Sequence, residues 1–357
     1  MNKPDPLAAM PDESRPLQEL DQSGEADQNP SEPPKQPKSR GQLAMKAFSL
    51  ALTLFCLGAI IWFVNAHLDD FKSLWTRQPI PRHTLYLLPL AWALMTVSNS
   101  ELLRHPLLAY KLKLTFFEGL SLTTLSTAIN YVIPFKSGSG LRGLYLTSGR
   151  RLPITSYISM LFSVSAMTLT TASFFGLGGL LALWLRGHNP APLLMFYFGG
   201  TALGGLGAAL FLGRLPFRLP QRIKDLAQAW DSLRSTPGLW RRLCLWQVAY
   251  FLCWAMVNWL SLAAFSIHLK PSEAFFYTAG QIHATLINLT PGGLGFVEAF
   301  SAYAGQVLDF TSAEALSAQA LSRLTAVAML TVTGVLGWIY LTVLMGKNGV
   351  VLKKPKL

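Results

Sequence analysis

From residue 47 onward, uncharged apolar runs alternate with short clusters of charge, and the runs are too long for helices in the core of a soluble domain. The clearest are 47–66, 84–100, 152–185, 243–267 and 324–346, within or above the roughly 17–25 residues that a helix needs to cross a bilayer. The pattern predicts an all-α polytopic membrane protein. The 34 uncharged residues of 152–185 make about 51 Å of helix against a hydrocarbon core of about 30 Å. That segment is expected to tilt, to project beyond the membrane, or to bend near Gly176, Gly178 and Gly179.

Two further apolar segments are interrupted. The first, 119–135, runs into Asn130-Tyr131-Val132-Ile133-Pro134-Phe135-Lys136-Ser137-Gly138-Ser139-Gly140-Leu141-Arg142, and the second, 274–290, into Leu289-Thr290-Pro291-Gly292-Gly293-Leu294-Gly295-Phe296-Val297-Glu298. Proline lacks an amide donor and disfavours helix at the residue before it, while glycine admits backbone angles closed to other residues. The helix is therefore expected to break at Pro134, Gly138 and Gly140, and again at Pro291, Gly292, Gly293 and Gly295. In hydrocarbon a broken backbone survives only inside protein or beside a wet cavity, so both breaks should face an enclosed polar centre.

The charges set an orientation. If 119–135 crossed the membrane, Lys136, Arg142, Arg150 and Arg151 would lie outside; if it enters and returns, they stay in the cytoplasm with most other cations, as the positive-inside bias favours. The resulting topology is six full spans plus two re-entrant hairpins, with eight spans as the alternative if 119–135 crosses and 152–185 crosses twice. Each hairpin carries Glu, Asn, Pro and a glycine-rich turn in that order: Glu118, Asn130 and Pro134; Glu273, Asn288 and Pro291. The flanking spans run in opposite senses, the hydropathy pattern of an inverted repeat.

Composition adds the boundaries. Residues 1–40 are rich in Pro, Asp, Glu, Gln and Ser and are expected to form a disordered cytoplasmic tail. Residues 41–346 form the membrane domain and 347–357 a basic cytoplasmic tail. The net charge of +12 conceals eight acidic and two basic residues within 1–32, which leaves 28 basic against ten acidic side chains beyond them. Because these cations flank apolar spans, anionic lipid and topology explain them and nucleic acid is excluded as a partner. The basic loop 213–242 is expected in the cytoplasm, with Arg222–Leu233 lying on the lipid surface or in solvent. Cys56, Cys244 and Cys253 have no metal-ligand spacing, and no metal or other cofactor is expected.

Ionisable groups beside broken apolar segments are costly unless paired or wet, so they mark a pathway or binding site. Arg142 offers an anion its planar donor fork, and Lys136 adds a second cation. Glu298 is free to pair with Arg142 or Arg323, to balance a cationic headgroup, or to bind a proton. The competing reading places Arg142 at the cytoplasmic surface by snorkelling and Glu298 in outer-leaflet water. His283, with Gln281 and Asn288, marks a polar face whose histidine is read as a packing group ahead of a proton relay. Nucleophile-elbow, P-loop and HExxH patterns are absent, and no enzyme activity is expected.

At Asn130–Arg142 and Leu289–Glu298 the chain resembles the flippase-like transmembrane region of the lysylphosphatidylglycerol synthase family. The resemblance extends over nearly everything after the acidic tail, and Arg323 resembles a recurring basic position of the family. Ser139 stands where family members usually carry an acidic residue, and Ser165-Ala166 stand at a further position that is charged in the family. The resemblance implies a stand-alone member, without the soluble aminoacyl-transferase domain, that moves a lipid or lipid-linked headgroup between leaflets of a bacterial inner membrane. Arg142, Lys136, Glu298, Asn130, Asn288 and Arg323 are the candidate substrate-binding residues. The other function weighed is a non-transporting scaffold for a glycosyltransferase or lipid-modifying enzyme.

Overall fold

The computed structural model describes residues 80–133, 135–187, 191–211, 230–286 and 290–347, together with Gly58, Ile61, Asn65, Asp69, Lys72 and Thr76. The terminal tails, nearly all of the first expected span, most of the basic loop, Pro134 and Asn288 fall outside the described residues. Those described are helical or irregular, with no strand among them. In order they form α1 (Arg82–Leu107), α2 (Phe116–Val132), α3 (Ser137–Leu144), α4 (Ile154–Leu185), α5 (Pro192–Phe211), α6 (Leu239–Ala263), α7 (Pro271–Leu286), α8 (Phe296–Val307) and α9 (Ser312–Lys347). Of these, α4, α6 and Ser312–Leu344 of α9 are long and apolar enough to cross a membrane.

Local signals place the helix starts. Thr115 and Glu118 form a reciprocal capping box for α2, and Thr311 and Glu314 do the same for α9. Pro271 opens α7, where a missing amide is no loss, and Glu273 accepts from Lys270 N at 2.8 Å. The segment 152–185 does not cross twice: α4 is one unbroken helix of 32 residues. Gly176 and Gly179 serve contact rather than bending, because a Cβ on Gly179 would stand 2.5 Å from Ser272 O and one on Gly176 2.7 Å from Ala279 Cβ, while Gly178 faces open space. α6 begins four residues before the expected 243, with Arg241 and Arg242 inside the helix. Trp230 and Leu233 are buried against the bundle rather than laid on lipid.

Both interrupted segments double back on themselves. Asn130 Oδ1 accepts from Gly138 N at 2.8 Å, Arg142 reaches Ser126, and Arg150 reaches Glu118, so α2 and the chain after it run antiparallel in one register. In the second segment Gln281 Nε2 donates to Ser301 Oγ at 2.9 Å and Phe300 covers Gly280, which brings α8 back along α7.

Packing between elements follows an exchange rule. α1 and α6 lie antiparallel, the start of one beside the end of the other, as Leu88 with Ala264 and His105 with Trp246 illustrate. α2 packs on α9, and α7 packs on α4. Gly176 and Gly179 on α4 lie against α7, and Gly334 and Gly337 on α9, the same spacing 158 positions later, lie against α2. Small residues let helix backbones approach closely, and such approach drives association inside a membrane. Outward positions are apolar, among them Leu85, Phe174, Leu203, Val332 and Trp338, while Ser126, Asn258, Thr278, Gln281 and Ser301 are buried. The distribution is that of a protein solvated by lipid with its polar groups inside.

Closure of the first hairpin depends on Gly138, whose Cβ would stand 1.8 Å from Ser126 O. Gly138→Ala is expected to separate α3 from α2 and to cost about 1–3 kcal/mol, the range for overpacking a filled contact. Thermal unfolding of the purified protein reads this loss; an unchanged midpoint would contradict the contact.

Candidate functional site

At the first break, Phe135 and Lys136 hold left-handed backbone, with φ of 61° and 50°. This reverses the chain and starts α3 with Gly138 against Ser126. Arg142, one turn further on, donates from Nη2 and Nε to Ser126 Oγ at 2.7 and 3.2 Å. From α4, Tyr157 OH donates to Ser139 O at 2.5 Å and clamps the turn.

The second break uses different atoms to the same end. Gly292, Gly293 and Gly295 take φ of 58°, 67° and 90°, values that favour glycine. Thr290 Oγ1 donates to Leu294 O at 2.7 Å. Glu298, in the first turn of α8, accepts from Gly295 N at 2.7 Å and lies 2.5 Å from Arg323 Nε, an ion pair rather than an aligned hydrogen bond. Arg323 Nη2 also donates to Gly292 O at 3.3 Å. A side chain from the following long helix thus holds each break: Tyr157 the first and Arg323 the second.

Both breaks open on one cavity of about 280 Å³. Lys136, Arg142 and Arg323 supply its cations, and Gly292 exposes backbone to it. Asn130, Ser139, Gln281 and Gln319 add hydrogen-bonding groups, and Trp92, Tyr250 and Trp254 form much of the remaining wall. No carboxylate is among the described lining residues. Glu298 stands behind Arg323 and neutralises it, which leaves Arg142 and Lys136 as cations without a carboxylate partner among the described residues. Burial of positive charge beside amide and hydroxyl groups is the arrangement that receives an anion.

The family described as the lysylphosphatidylglycerol synthase TM region matches residues 47–334. The chain belongs to this family. Neither the curated proteins nor the solved structures compared with it gave a match. Membership of the lysylphosphatidylglycerol synthase transmembrane family, with the apolar perimeter and long apolar helices, makes the chain a multi-pass membrane protein.

Within this lysylphosphatidylglycerol synthase-type membrane region, the structure brings Arg142, Lys136, Asn130 and Arg323 to a single cavity and sets Glu298 one side chain behind it. His283 lies elsewhere. Its Nδ1 is 2.8 Å from Ala279 O and its Nε2 3.1 Å from Ser173 Oγ, and its ring packs between Tyr197 and Phe198. Gln281, on another face of α7, lines the cavity and joins Ser301 to Gln319. His283→Ala is expected to cost about 0.5–3 kcal/mol, chiefly through the cavity left beside Tyr197 and Phe198, since Ser173 Oγ keeps Thr201 as its partner. Chemical unfolding of the purified variant and parent reads this loss, and an unchanged midpoint would contradict the packing role.

Several residues of the site escape sequence reading. Ser126, Asn99, Thr127 and Gln319 are single polar residues inside apolar helices, and Tyr157 and Tyr250 look like ordinary span aromatics. Spacing offers one signal: Ser126 precedes Asn130 by one helical turn, on the same face of α2. Glu118 is also organised more fully than its repeat position implied, fully buried and accepting from Tyr145 OH at 2.6 Å and Arg150 Nε at 2.9 Å.

Proposed function

We propose that the chain moves an anionic phospholipid or an anionic lipid-linked headgroup between leaflets of a bacterial cytoplasmic membrane, without catalysis. The observation that carries this reading is the convergence of two clamped helix breaks and three cations on one cavity with no carboxylate among its described lining residues. Arg142 binds the headgroup phosphate through its fork while Ser126 holds its other edge, and Lys136 attracts the anion from the cytoplasmic side. The apolar perimeter keeps the acyl chains in lipid as the headgroup passes through the polar interior. Ser139 makes the site more anion-selective than an acidic residue at that position would. The two doubled-back segments act as re-entrant hairpins of an inverted repeat, a reading supported by the antiparallel α1 and α6 and by the exchanged packing of α2 with α9 and α7 with α4. An axis in the membrane plane that exchanges the halves also exchanges the faces from which the breaks are reached.

The test is leaflet exchange of labelled phosphatidylglycerol in vesicles containing the purified full chain. Exchange well above that of protein-free vesicles is expected, and exchange equal to theirs would overturn the reading.

A further inference from the structure

The two interrupted segments and the long helices that follow them share a register. Glu118 and Glu273 each accept from the backbone amide three residues earlier, at Thr115 and Lys270. Lys136 caps α3 as Gly295 caps α8, which sets Ser139 at the third position of α3 and Glu298 at the third position of α8. On the long helices Ser165 stands eleven residues before Gly176, and Arg323 eleven before Gly334. The counterparts of the pair Glu298 and Arg323 are therefore two serines. Where the second half holds its break with an ion pair, the first half has two short hydroxyl side chains and leaves the clamp to Tyr157.

Both serines line the central cavity, as does Asn99 of α1. Ser139 precedes Arg142 by three residues on α3, which puts it on the same helix face and next to the guanidinium that Ser126 orients. The side chains of Asn99, Ser139 and Ser165 have no hydrogen-bond partner among the described residues. Each is only half-buried, and none of their polar atoms is closed off inside the protein. A carboxylate only accepts and a guanidinium only donates, whereas serine hydroxyls and the asparagine amide do both. Exchanging an ion pair for hydroxyls therefore turns this wall from one that fits charge into one that fits alcohols.

We infer that Asn99, Ser139 and Ser165 form a hydroxyl-recognising subsite beside Arg142, so that the lipid moved is one whose phosphate carries free hydroxyls, as a glycerol or sugar headgroup does. The subsite rests on the proposed passage of an anionic headgroup through this cavity and adds a choice among anions of equal charge.

Phosphatidylglycerol and phosphatidylpropanol with matched acyl chains and label test this, because they carry the same charge and differ only by two hydroxyls. In vesicles containing the full chain, phosphatidylglycerol should exchange about five- to tenfold faster, the effect of one or two hydrogen bonds. The double variant Ser139→Ala with Ser165→Ala should bring the ratio of the two rates close to one. Equal rates in wild type, as when water alone occupies the subsite, would overturn it and leave anion transport standing. An undiminished ratio in the folded double variant would also overturn it. Should neither lipid exchange faster than in protein-free vesicles, the transport reading fails, and native mass spectrometry of the full chain in mild detergent decides the subsite by itself. Phosphatidylglycerol retained in excess of phosphatidylpropanol supports it, and equal retention overturns it. A short polyprenyl phosphate carrying a hexose presents the same chemistry from the other source: exchange faster than phosphatidylglycerol supports the subsite with a sugar headgroup, and slower exchange supports it with glycerol.

Discussion

Arg142→Gln is expected to slow translocation of anionic lipid by about ten- to a hundredfold while the protein keeps its helical content and detergent stability. Nη2 and Nε of Arg142 are engaged with Ser126 Oγ, so the guanidinium is already oriented before any ligand arrives. Gln preserves a polar group but removes the charge. A hydrogen bond to a charged group contributes about 1.5–3 kcal/mol, and each 1.4 kcal/mol is about a factor of ten. Arg142→Lys should fall between the two, because an ammonium keeps the charge without the planar fork. Leaflet exchange measured for all three proteins in the same vesicles checks the order. Full activity in a folded Arg142→Gln protein would remove Arg142 from the site.

Glu298→Gln is expected to have the largest effect on stability, about 3–5 kcal/mol, the range for removing one partner of a buried ion pair. Both side chains are mostly shielded, at 12% and 19% exposure for Glu298 and Arg323. The variant leaves the Arg323 guanidinium inside the protein with Gly292 O as an acceptor and no counter-charge. The paired variant Glu298→Gln with Arg323→Gln should recover much of the loss, since neither side chain then carries an uncompensated charge. Chemical or thermal unfolding of the two single variants and the double variant gives the coupling directly. Strictly additive losses would show that the ion pair does not hold the second break.

The helix breaks were legible in part because proline and glycine act locally, as in the turn at Gly292; Gly138 and Gly140, expected as break points, instead lie inside α3, where Gly138 serves the close approach to Ser126 and the reversal falls at Phe135 and Lys136. The candidate cations were legible because charge beside an apolar run is conspicuous. Register was another matter. That Gly138 meets Ser126, and that Arg142 therefore reaches Ser126, depends on how closely two backbones approach, which only the glycine hints at. Glu298 was open to several partners because Arg142 and Arg323 are both distant in sequence; α9 packing against α8 selects Arg323. The glycine pairs Gly176/Gly179 and Gly334/Gly337 carried a usable signal in their equal spacing, yet each alone reads as an ordinary small-residue contact. His283 and Gln281 were grouped as one polar face, but residues two apart on a helix point in different directions, one toward α4 and α5 and the other into the cavity.

The central claim is that the cavity between the two breaks selects negative charge. Leaflet exchange of three labelled lipids in one vesicle preparation tests it most directly: anionic phosphatidylglycerol, zwitterionic phosphatidylcholine and cationic lysyl-phosphatidylglycerol, with acyl chains matched. With Arg142 and Lys136 unneutralised and Glu298 committed to Arg323, the rates should fall in that order and the preference should collapse in Arg142→Gln. Equal rates for the three lipids, or fastest movement of the cationic one, would contradict the account.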